Sequence, residues 1–290
     1  MKPAKFDYHR AENLQHACAL LKEHGDDAKI LAGGQSLIAA MNFRLATPSV
    51  LIDVSNVEEP NLVVDEQNGV RVKATTTQRF TEKHAGLRQR IPVLVHAIEH
   101  ISHFQVRNKG TVGGSIAHAD PASELPAMSL LLDAEFETES ASNKTVVPAE
   151  DFFITYMTTS LKTDEVLSSI LFKAPPQTSG WGFHEITQRA GDFSLAGSAA
   201  VIDLDSDGKC SYARVSLFGV DATPVRAREA EDALLGNQCS PELVQEAAAS
   251  VRGIIDPETD VHVTAEYRRN AAQALTARAL EDALSRAVTV

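Results

Sequence analysis

The stretch KILAGGQSLIAAMNFRL, residues 29–45, joins an apolar strand-like segment to an apolar helical segment through two adjacent glycines. A second stretch, NKGTVGGSIAHADPASELPA at residues 108–127, again places a glycine pair between an apolar segment and a predicted helix or turn. Backbone without Cβ atoms can approach a ligand closely and point several N–H groups at it. Two such loops predict that the chain binds an anion such as a diphosphate.

Hydroxyl side chains flank both glycine pairs and add possible donors. Ser36, Thr111 and Ser115 could each donate a hydrogen bond to a bound anion. Ser36 is also predicted to cap the N-terminus of a helix, whose positive end favours an anion. A single glycine pair is more often an ordinary turn, and neither loop fits G-x-G-x-x-G or the Walker A sequence. The residues alone therefore support an anion-binding protein that is not of the Rossmann or P-loop type.

Hydrophobic periodicity predicts helices and strands that interleave in an α+β or α/β arrangement. Asp207-Gly208 is a hairpin-turn sequence, and the Pro-rich segment KAPPQTSG at residues 173–180 predicts a linker with a domain boundary near residue 176. The predicted helices cover residues 13–21, 36–45, 91–101 and 121–132, with Pro121 in the first turn of the fourth, and most of the chain beyond residue 226. The predicted strands cover residues 27–31, 50–54, 69–75, 135–138, 146–147, 165–172, 183–188, 198–205 and 211–220.

Composition excludes several classes of protein. A net charge of −12 argues against binding to nucleic acid or to an anionic membrane, since both require a basic face. Cys18, Cys210 and Cys239 lie too far apart in sequence for a local iron–sulfur or zinc motif. No signal-peptide pattern and no apolar run of 18 residues is found, so a cytoplasmic protein without membrane insertion is expected.

A third stretch, QRAGDFSLAG at residues 188–197, completes a family pattern. Together the three stretches resemble, in order and separation, the FAD-binding medium subunits of molybdenum hydroxylases. That family includes the flavoprotein subunits of carbon monoxide, nicotine, quinoline and caffeine dehydrogenases and the flavin domain of xanthine dehydrogenase. The resemblance implies an α+β fold, with a two-subdomain FAD-binding domain of the vanillyl-alcohol-oxidase (PCMH) type at residues 1–176. A small C-terminal α+β domain at residues 177–290 would follow, with a three-stranded antiparallel sheet and helices.

The resemblance also implies where FAD would bind. The first stretch would wrap the diphosphate and part of the second would form the other side of the cradle. Ala117 and Asp120 would lie along the ribityl and ribose region, and Ile101 and Val106 would pack near the adenine or the flavin ring. The cofactor-binding residues implied are Lys29, Ile30, Leu31, Ala32, Gly33, Gly34, Gln35, Ser36, Leu37, Ile101, Val106, Thr111, Gly114, Ser115, Ala117, Asp120, Glu124 and Phe193.

Three of the matched positions carry a specific expectation. Glu124 would lie near the flavin edge, and the alternative is a solvated residue in the first turn of a helix. Phe193 would cover one face of the isoalloxazine, where many relatives have Tyr. Glu185 stands where some relatives have Lys, and a carboxylate there would not favour an anionic reduced flavin.

Three histidines have the spacing in this chain that is most similar to that of metal ligands on a helix. His96, His100 and His103 fall at i, i+4 and i+7 of a predicted helical stretch. A solvated or packed histidine face is the expected interpretation, because a metal site needs more than this spacing. No metal ligand and no catalytic acid–base pair is predicted in this chain.

The resemblance implies an electron-relay function. A large subunit with a molybdopterin cofactor would oxidise the substrate, for which an N-heteroaromatic compound is expected. A small subunit with 2Fe-2S clusters would pass the electrons to FAD on this chain. FAD would pass them to an external acceptor, and the complex would be a dimer of heterotrimers. Two alternatives are a stand-alone flavoprotein oxidase of the same fold superfamily and a non-catalytic assembly protein, against which the intact glycine pairs argue.

Overall fold

Strands and helices interleave along the chain in the computed structural model, which describes residues 2–57 and 62–287. The described strands are β1 (Asp7–Arg10), β2 (Ala28–Leu31), β3 (Val50–Asp53), β4 (Val63–Glu66), β5 (Gly69–Lys73), β6 (Glu135–Glu139), β7 (Lys144–Pro148), β8 (Phe153–Thr155), β9 (Thr158–Thr159), β10 (Val166–Lys173), β11 (Gly180–Thr187), β12 (Ser194–Leu204), β13 (Cys210–Phe218) and β14 (Val225–Arg226). The described helices are α1 (Leu14–His24), α2 (Leu37–Asn42), α3 (Gln78–Lys83), α4 (Ala85–Arg90), α5 (Pro92–His100), α6 (Phe104–Arg107), α7 (Val112–His118), α8 (Glu124–Leu131), α9 (Arg228–Leu234), α10 (Pro241–Ile254) and α11 (Ala265–Arg286).

The N-terminal part contains a three-stranded parallel sheet in the order β1-β3-β2, packed against α1. The central strand β3 is buried along its whole length, as expected for an apolar strand with neighbours on both sides. The helix predicted at residues 13–21 is confirmed as α1. It begins after Asn13, because the Asn13 side chain accepts a hydrogen bond from the His16 N–H at 2.8 Å and so caps the first turn.

A five-stranded antiparallel sheet, ordered β4-β5-β10-β6-β7, forms the second subdomain. Its central strand β10 is buried from Val166 to Phe172. The largest buried cluster lies between this sheet and the helices α5, α7 and α8. The segment at residues 102–110, which follows α5, contains the one-turn helix α6.

Helix α8 begins later than the sequence predicted. Pro121 is not in its first turn: it lies in the loop before the helix, and α8 starts at Glu124 after Ser123. Asp120 causes the delay, because its Oδ1 accepts the Ala122 N–H at 2.9 Å and its carbonyl accepts the Ser123 N–H at 3.0 Å. These bonds hold residues 120–123 in a turn, so the helix begins only at Glu124.

The C-terminal part is an antiparallel sheet, ordered β11-β12-β13-β14, covered by helices α9, α10 and α11. The three long strands were predicted, and the two-residue strand β14 adds a fourth at the edge. Gly208, with φ +73°, makes the predicted hairpin turn between β12 and β13. No helix in the described part of the chain is both long and apolar enough to cross a membrane.

The two parts of the chain share one core. Phe183 of β11 and Phe218 of β13 belong to the same buried cluster as the helices of the N-terminal part, and their rings stack with centroids 5.7 Å apart. Phe183 also lies 5.0 Å from the His100 ring at the end of α5. The segment that joins the two parts, residues 174–179, coincides with the predicted linker, and the boundary at residue 176 stays a prediction.

Gly182 sets how closely α11 approaches β11, which gives the first testable prediction. A Cβ atom at this position would lie 2.1 Å from the Ala279 carbonyl oxygen, so the helix backbone would have to move. We expect Gly182→Ala to lower the free energy of unfolding by about 1–3 kcal/mol, the usual effect of overpacking a core. Urea denaturation of the full chain measures the change.

Gly253 in α10 provides the matched control. A Cβ atom there would meet nothing within 4 Å. Gly253→Ala should therefore raise the free energy of unfolding by roughly 0.5–1 kcal/mol, since alanine loses less conformational entropy in a helix. Equal effects of the two substitutions would contradict the close helix–strand approach.

Candidate functional site

The first glycine loop connects β2 to α2. Gly34 has φ +71°, in the left-handed region that side chains rarely adopt. The backbone N–H groups of residues 33–37 find no hydrogen-bond acceptor among the described residues. Five consecutive amides without a protein partner are unusual, because backbone donors are nearly always paired. The loop is therefore suited to hold a ligand that carries several acceptor oxygens.

Ser36 does not cap α2 in the predicted way. It precedes the helix, but its backbone is already near-helical at φ −99° and ψ −49°, and its side chain makes no capping hydrogen bond. A capping serine needs an extended backbone to reach back to the helix amides. The hydroxyl of Ser36 is thus not committed to the cap.

The second glycine pair lies inside the first turn of α7 and not before it. Thr111 caps this helix, and its Oγ1 accepts the Gly114 N–H at 2.9 Å. The N–H groups of Val112 and Gly113 donate to the carbonyls of Thr76 and Ala74, both at 2.9 Å. The amides of this loop are satisfied by the protein itself. The loop would contribute to ligand binding through the close approach of its backbone and through the half-buried side chain of Ser115.

The two loops lie against each other. A Cβ atom at Gly33 would sit 2.2 Å from the Lys109 carbonyl oxygen, so glycine is required where the first loop crosses the start of the second. A Cβ atom at Gly114 would lie 3.8 Å from the Cβ of Ala32. The structure therefore brings together the two stretches that the sequence singled out independently.

The third stretch reaches the same region from the C-terminal part. Gly191 has φ +86°, and a Cβ atom there would come within 3.0 Å of the Ser102 Cα atom. The Ser194 N–H donates to the Ala122 carbonyl at 3.4 Å. Phe193, between these contacts, is 58% exposed and is not part of the core. An exposed aromatic ring on an anchored loop is available to cover a planar ligand.

The remaining candidate residues are placed at different depths. Ile101 is half-buried against the main core, and its carbonyl accepts a hydrogen bond from Arg107 Nη1 at 2.8 Å. Asp120 is nearly buried and holds the turn before α8. The other candidates have exposed or half-buried side chains: Lys29, Ile30, Leu31, Gln35, Leu37, Val106 and Ala117.

Glu124 is buried, so the alternative of a solvated residue is wrong. It is the first residue of α8 and only 6% exposed. Burial, and next the charge of Glu185, raises the pKa of Glu124 to about 8. Burial likewise raises the pKa of Glu185 on β11 to about 6, and the positive charge of His100 opposes this.

The three histidines do not form one face. Helix α5 ends at His100, and Ser102 with φ 45° breaks the helical path before the exposed His103. The rings of His96 and His100 lie 4.7 Å apart and pack against Phe183. Within residues 2–57 and 62–287 no cluster of metal-ligating side chains was found.

A cavity of about 400 Å³ opens beside the third stretch, between the end of α5 and β11. Its walls come from the end of α5, from β11 and from the loop that carries Gly191. The residues around it include His100, Ser102, Phe183, His184, Glu185 and Gly191. The amides of residues 33–37 are suited to the anionic part of a ligand, and the cavity has room for a small group.

The family models that match this chain define its class, which is that of the flavoproteins. Residues 4–173 match the family described as FAD binding domain in molybdopterin dehydrogenase, and residues 181–283 match the CO dehydrogenase flavoprotein C-terminal domain. The chain therefore belongs to the FAD-binding medium subunits of the carbon monoxide dehydrogenase and xanthine dehydrogenase family. Its cofactor is FAD, and it is an oxidoreductase component, as the sequence resemblance implied.

Individual relatives match over the full length. The 6-hydroxypseudooxynicotine dehydrogenase complex subunit alpha of Paenarthrobacter nicotinovorans is 37% identical over 99% of this chain and 97% of its own. A structure of carbon monoxide dehydrogenase from Hydrogenophaga pseudoflava has a TM-score of 0.96 at 36% identity, covering 99% of this chain and 100% of that one. Quinoline 2-oxidoreductase from Pseudomonas putida 86 gives a TM-score of 0.92 at 32% identity, covering 98% and 99%. The agreement confirms the predicted fold class.

Proposed function

We propose that the chain is the FAD-carrying electron-transfer subunit of a heterotrimeric molybdenum hydroxylase. The observation that supports this best is the pair of converging glycine loops, with the amides of residues 33–37 unpaired within the described structure. Full-length similarity to subunits of nicotine, caffeine and carbon monoxide dehydrogenases supports the wider assignment.

The residues present fit FAD. The amides of residues 33–37, with the hydroxyl of Ser36, would meet the diphosphate oxygens, and Thr111, Gly114 and Ser115 would close the other side. Phe193 would cover the flavin ring, and Asp120 would lie near the ribityl and ribose hydroxyls. When bound, FAD supplies the ability to accept electrons one at a time and to pass them on. The chain itself holds and orients the cofactor and shields it from water.

The partners follow from the same proposal. Electrons would come from 2Fe-2S clusters of a small subunit, after oxidation of the substrate at the molybdenum cofactor of a large subunit. They would leave to an external acceptor. The assembly would be a dimer of heterotrimers in the cytoplasm. N-heteroaromatic compounds are the proposed substrates, because relatives are named for nicotine, caffeine and quinoline.

A stand-alone flavoprotein oxidase is the second candidate, and one observation favours it. The cavity beside Phe183 and Glu185 has the volume of a small-molecule site. An oxidase would need such a substrate pocket inside this chain. Turnover of a small substrate by the purified chain without other subunits would support the oxidase.

Purification from the native host separates the two candidates. We expect the chain to co-purify with a larger and a smaller subunit, identified by mass spectrometry, and the complex to contain FAD, molybdenum and iron. The chain isolated by itself should bind FAD non-covalently, so that denaturation releases the cofactor intact. A chain that is found alone and metal-free in its host would overturn the proposed relay function.

A further inference from the structure

Two cysteines that are far apart in sequence are brought together in the C-terminal part. Lys209, just before β13, forms a single antiparallel β-bridge with Gln238, in the loop between α9 and α10. The N–H of the next residue, Cys210, donates to the Asn237 carbonyl at 2.9 Å. Cys239 directly follows Gln238. The backbone pairing therefore places Cys210 and Cys239 each one residue away from the same bridge.

The two cysteines face the interior, whereas the bridge residues face solvent. Lys209 and Gln238 are exposed. Cys210 is buried in the core of the C-terminal part, and the half-buried Cys239 packs against the same cluster. The chain also bends at Cys239, because the Ser240 N–H donates to the Gln238 carbonyl at 2.9 Å and closes a tight turn. Both thiols thus lie on the inner side of the pairing.

The two sulfur atoms interact directly. A hydrogen bond between the side chains of Cys210 and Cys239 raises the pKa of Cys210 and lowers the pKa of Cys239. Burial adds to the effect at Cys210 and opposes it at Cys239. Cys239 is therefore both the more accessible thiol and the one that more readily becomes a thiolate. The thiolate is the form of cysteine that attacks a disulfide.

Cys18 provides a comparison within the same chain. It is buried in the cluster between α1 and β3, and its Sγ donates to the Glu139 carbonyl at 3.3 Å. Burial raises the pKa of Cys18 to about 11. A buried thiol of this kind is inert at neutral pH. The properties of Cys239 are thus not shared by every cysteine of the chain.

We propose that Cys210 and Cys239 are a reversible disulfide site, which closes by exchange with oxidised glutathione and opens again with thiols. The Cys239 thiolate attacks one sulfur of the small disulfide, whose S–S bond breaks and releases one glutathione thiolate. The Cys210 sulfur then attacks the Cys239 Sγ atom of the mixed disulfide, and the Cys210 proton leaves with the second glutathione. Two cysteine thiols are oxidised, and one small disulfide is reduced to two thiols.

The surrounding structure allows the bond to close and gives it a consequence. Residues 236–238 are exposed, and a Cβ atom at Gly236 would meet nothing within 4 Å, so little packing opposes the small shift that an S–S bond requires. The bond would tie the start of β13 to the chain just before α10. The closed loop contains β13, β14 and α9. A cross-link of this length restricts the unfolded chain and so stabilises the folded one.

Mass spectrometry of the full chain tests the link. After reduction and treatment with oxidised glutathione, the wild type should lose the mass of two hydrogen atoms, and peptide mapping should join the peptides of Cys210 and Cys239. Dithiothreitol should restore the original mass. Cys18→Ala should form the same link. A wild-type chain that only carries glutathione on separate cysteines, or that does not react, would overturn the proposal.

The order of the two steps has its own test. Cys210→Ser should stop the reaction at the mixed disulfide, so that glutathione stays attached to Cys239. In the reduced wild type, an aromatic disulfide reagent should modify Cys239 at least about 100-fold faster than Cys18, because each pKa unit changes the thiolate fraction tenfold. This rate does not depend on the folding of any variant. Equal rates at Cys239 and Cys18 would show that Cys239 is not the attacking thiol.

Thermal unfolding measures the consequence of the link. The oxidised wild type should have a Tm roughly 4–8 °C above that of the reduced wild type, from the closure of a loop of this length in a chain of this size. Cys239→Ser should have the same Tm under oxidising and reducing conditions. A linked chain with an unchanged Tm would contradict the stabilising role. These measurements need no FAD, so a chain that binds no FAD would overturn only the proposed function.

Discussion

Gly34→Ala should weaken the binding of FAD to the full chain by about 100-fold. Gly34 has φ +71°, which alanine rarely adopts, and a Cβ atom there would also press on the side chains of Ile38 and Leu31, at 2.7 and 3.2 Å, so we expect the loop backbone to relax. A shift of the loop misaligns the amides of residues 33–37. Losing two hydrogen bonds to a charged group at roughly 1.5 kcal/mol each amounts to about two powers of ten in affinity. Titration of FAD fluorescence with the apo chain measures the effect.

Gly208→Ala is the matched control for this prediction. Gly208 has nearly the same conformation, φ +73°, but it lies in the hairpin turn after β12, and a Cβ atom there would meet nothing within 4 Å. Both substitutions should destabilise the chain by about 1–2 kcal/mol, because alanine is strained at positive φ. Only Gly34→Ala should bind FAD more weakly. Unchanged FAD affinity in Gly34→Ala would remove the main support for the first loop as a diphosphate site.

Arg107→Met should lower the free energy of unfolding by about 3–5 kcal/mol, the usual effect of removing one partner of a buried ion pair. Arg107 is buried and binds Glu82 as well as the carbonyls of Ile101 and Ser102. Burial would raise the pKa of Glu82, but hydrogen bonds from Arg107 and Arg79 outweigh this and lower it. The stability that this pair contributes is present above the ordinary pKa of glutamate and is lost as the pH falls through the lowered value.

Arg79→Met tests the same carboxylate from its exposed side. Arg79 also binds Glu82, at 2.5 Å, but its side chain is 30% exposed and no bond to the 101–102 segment is found for it in the described structure. We expect a loss of no more than about 1 kcal/mol, as for ion pairs in contact with water. Urea denaturation at neutral and acidic pH compares the two variants. A similar loss in both would mean that Arg107 does not fix the 101–102 segment.

The fold could be predicted well where one sequence signal dominates. The strand β3, which begins with three apolar residues, and the turn at Gly208 follow from a hydrophobic run and from glycine conformation. The errors occur where a side chain redirects the backbone. Asp120 delays the start of α8 beyond Pro121, and Ser102 at positive φ separates His103 from the helix of His96 and His100. Strand β14 is too short to leave a pattern in the sequence.

The sequence pointed to the two glycine loops but not to their geometry. The glycine pairs identified both loops, yet only the structure shows that the first loop has unpaired amides and that the second uses its amides within the protein. The burial of Glu124 and the three bonds of Arg107 depend on tertiary packing. Glu124 stands in the first turn of a helix, where a glutamate is usually solvated, so no local signal indicated its burial.

The ring stack of Phe183 and Phe218 determines how this chain could be recombined with its relatives. Since aromatic rings from the C-terminal sheet complete the core of the N-terminal half, each half is shaped to fit the other. Joining the first half of one relative to the second half of another at residues 174–179 would juxtapose two mismatched surfaces, although the junction itself is an exposed loop. In a functional hybrid, Phe183, Phe218 and the residues of α5 that face them would therefore all have to come from the same relative.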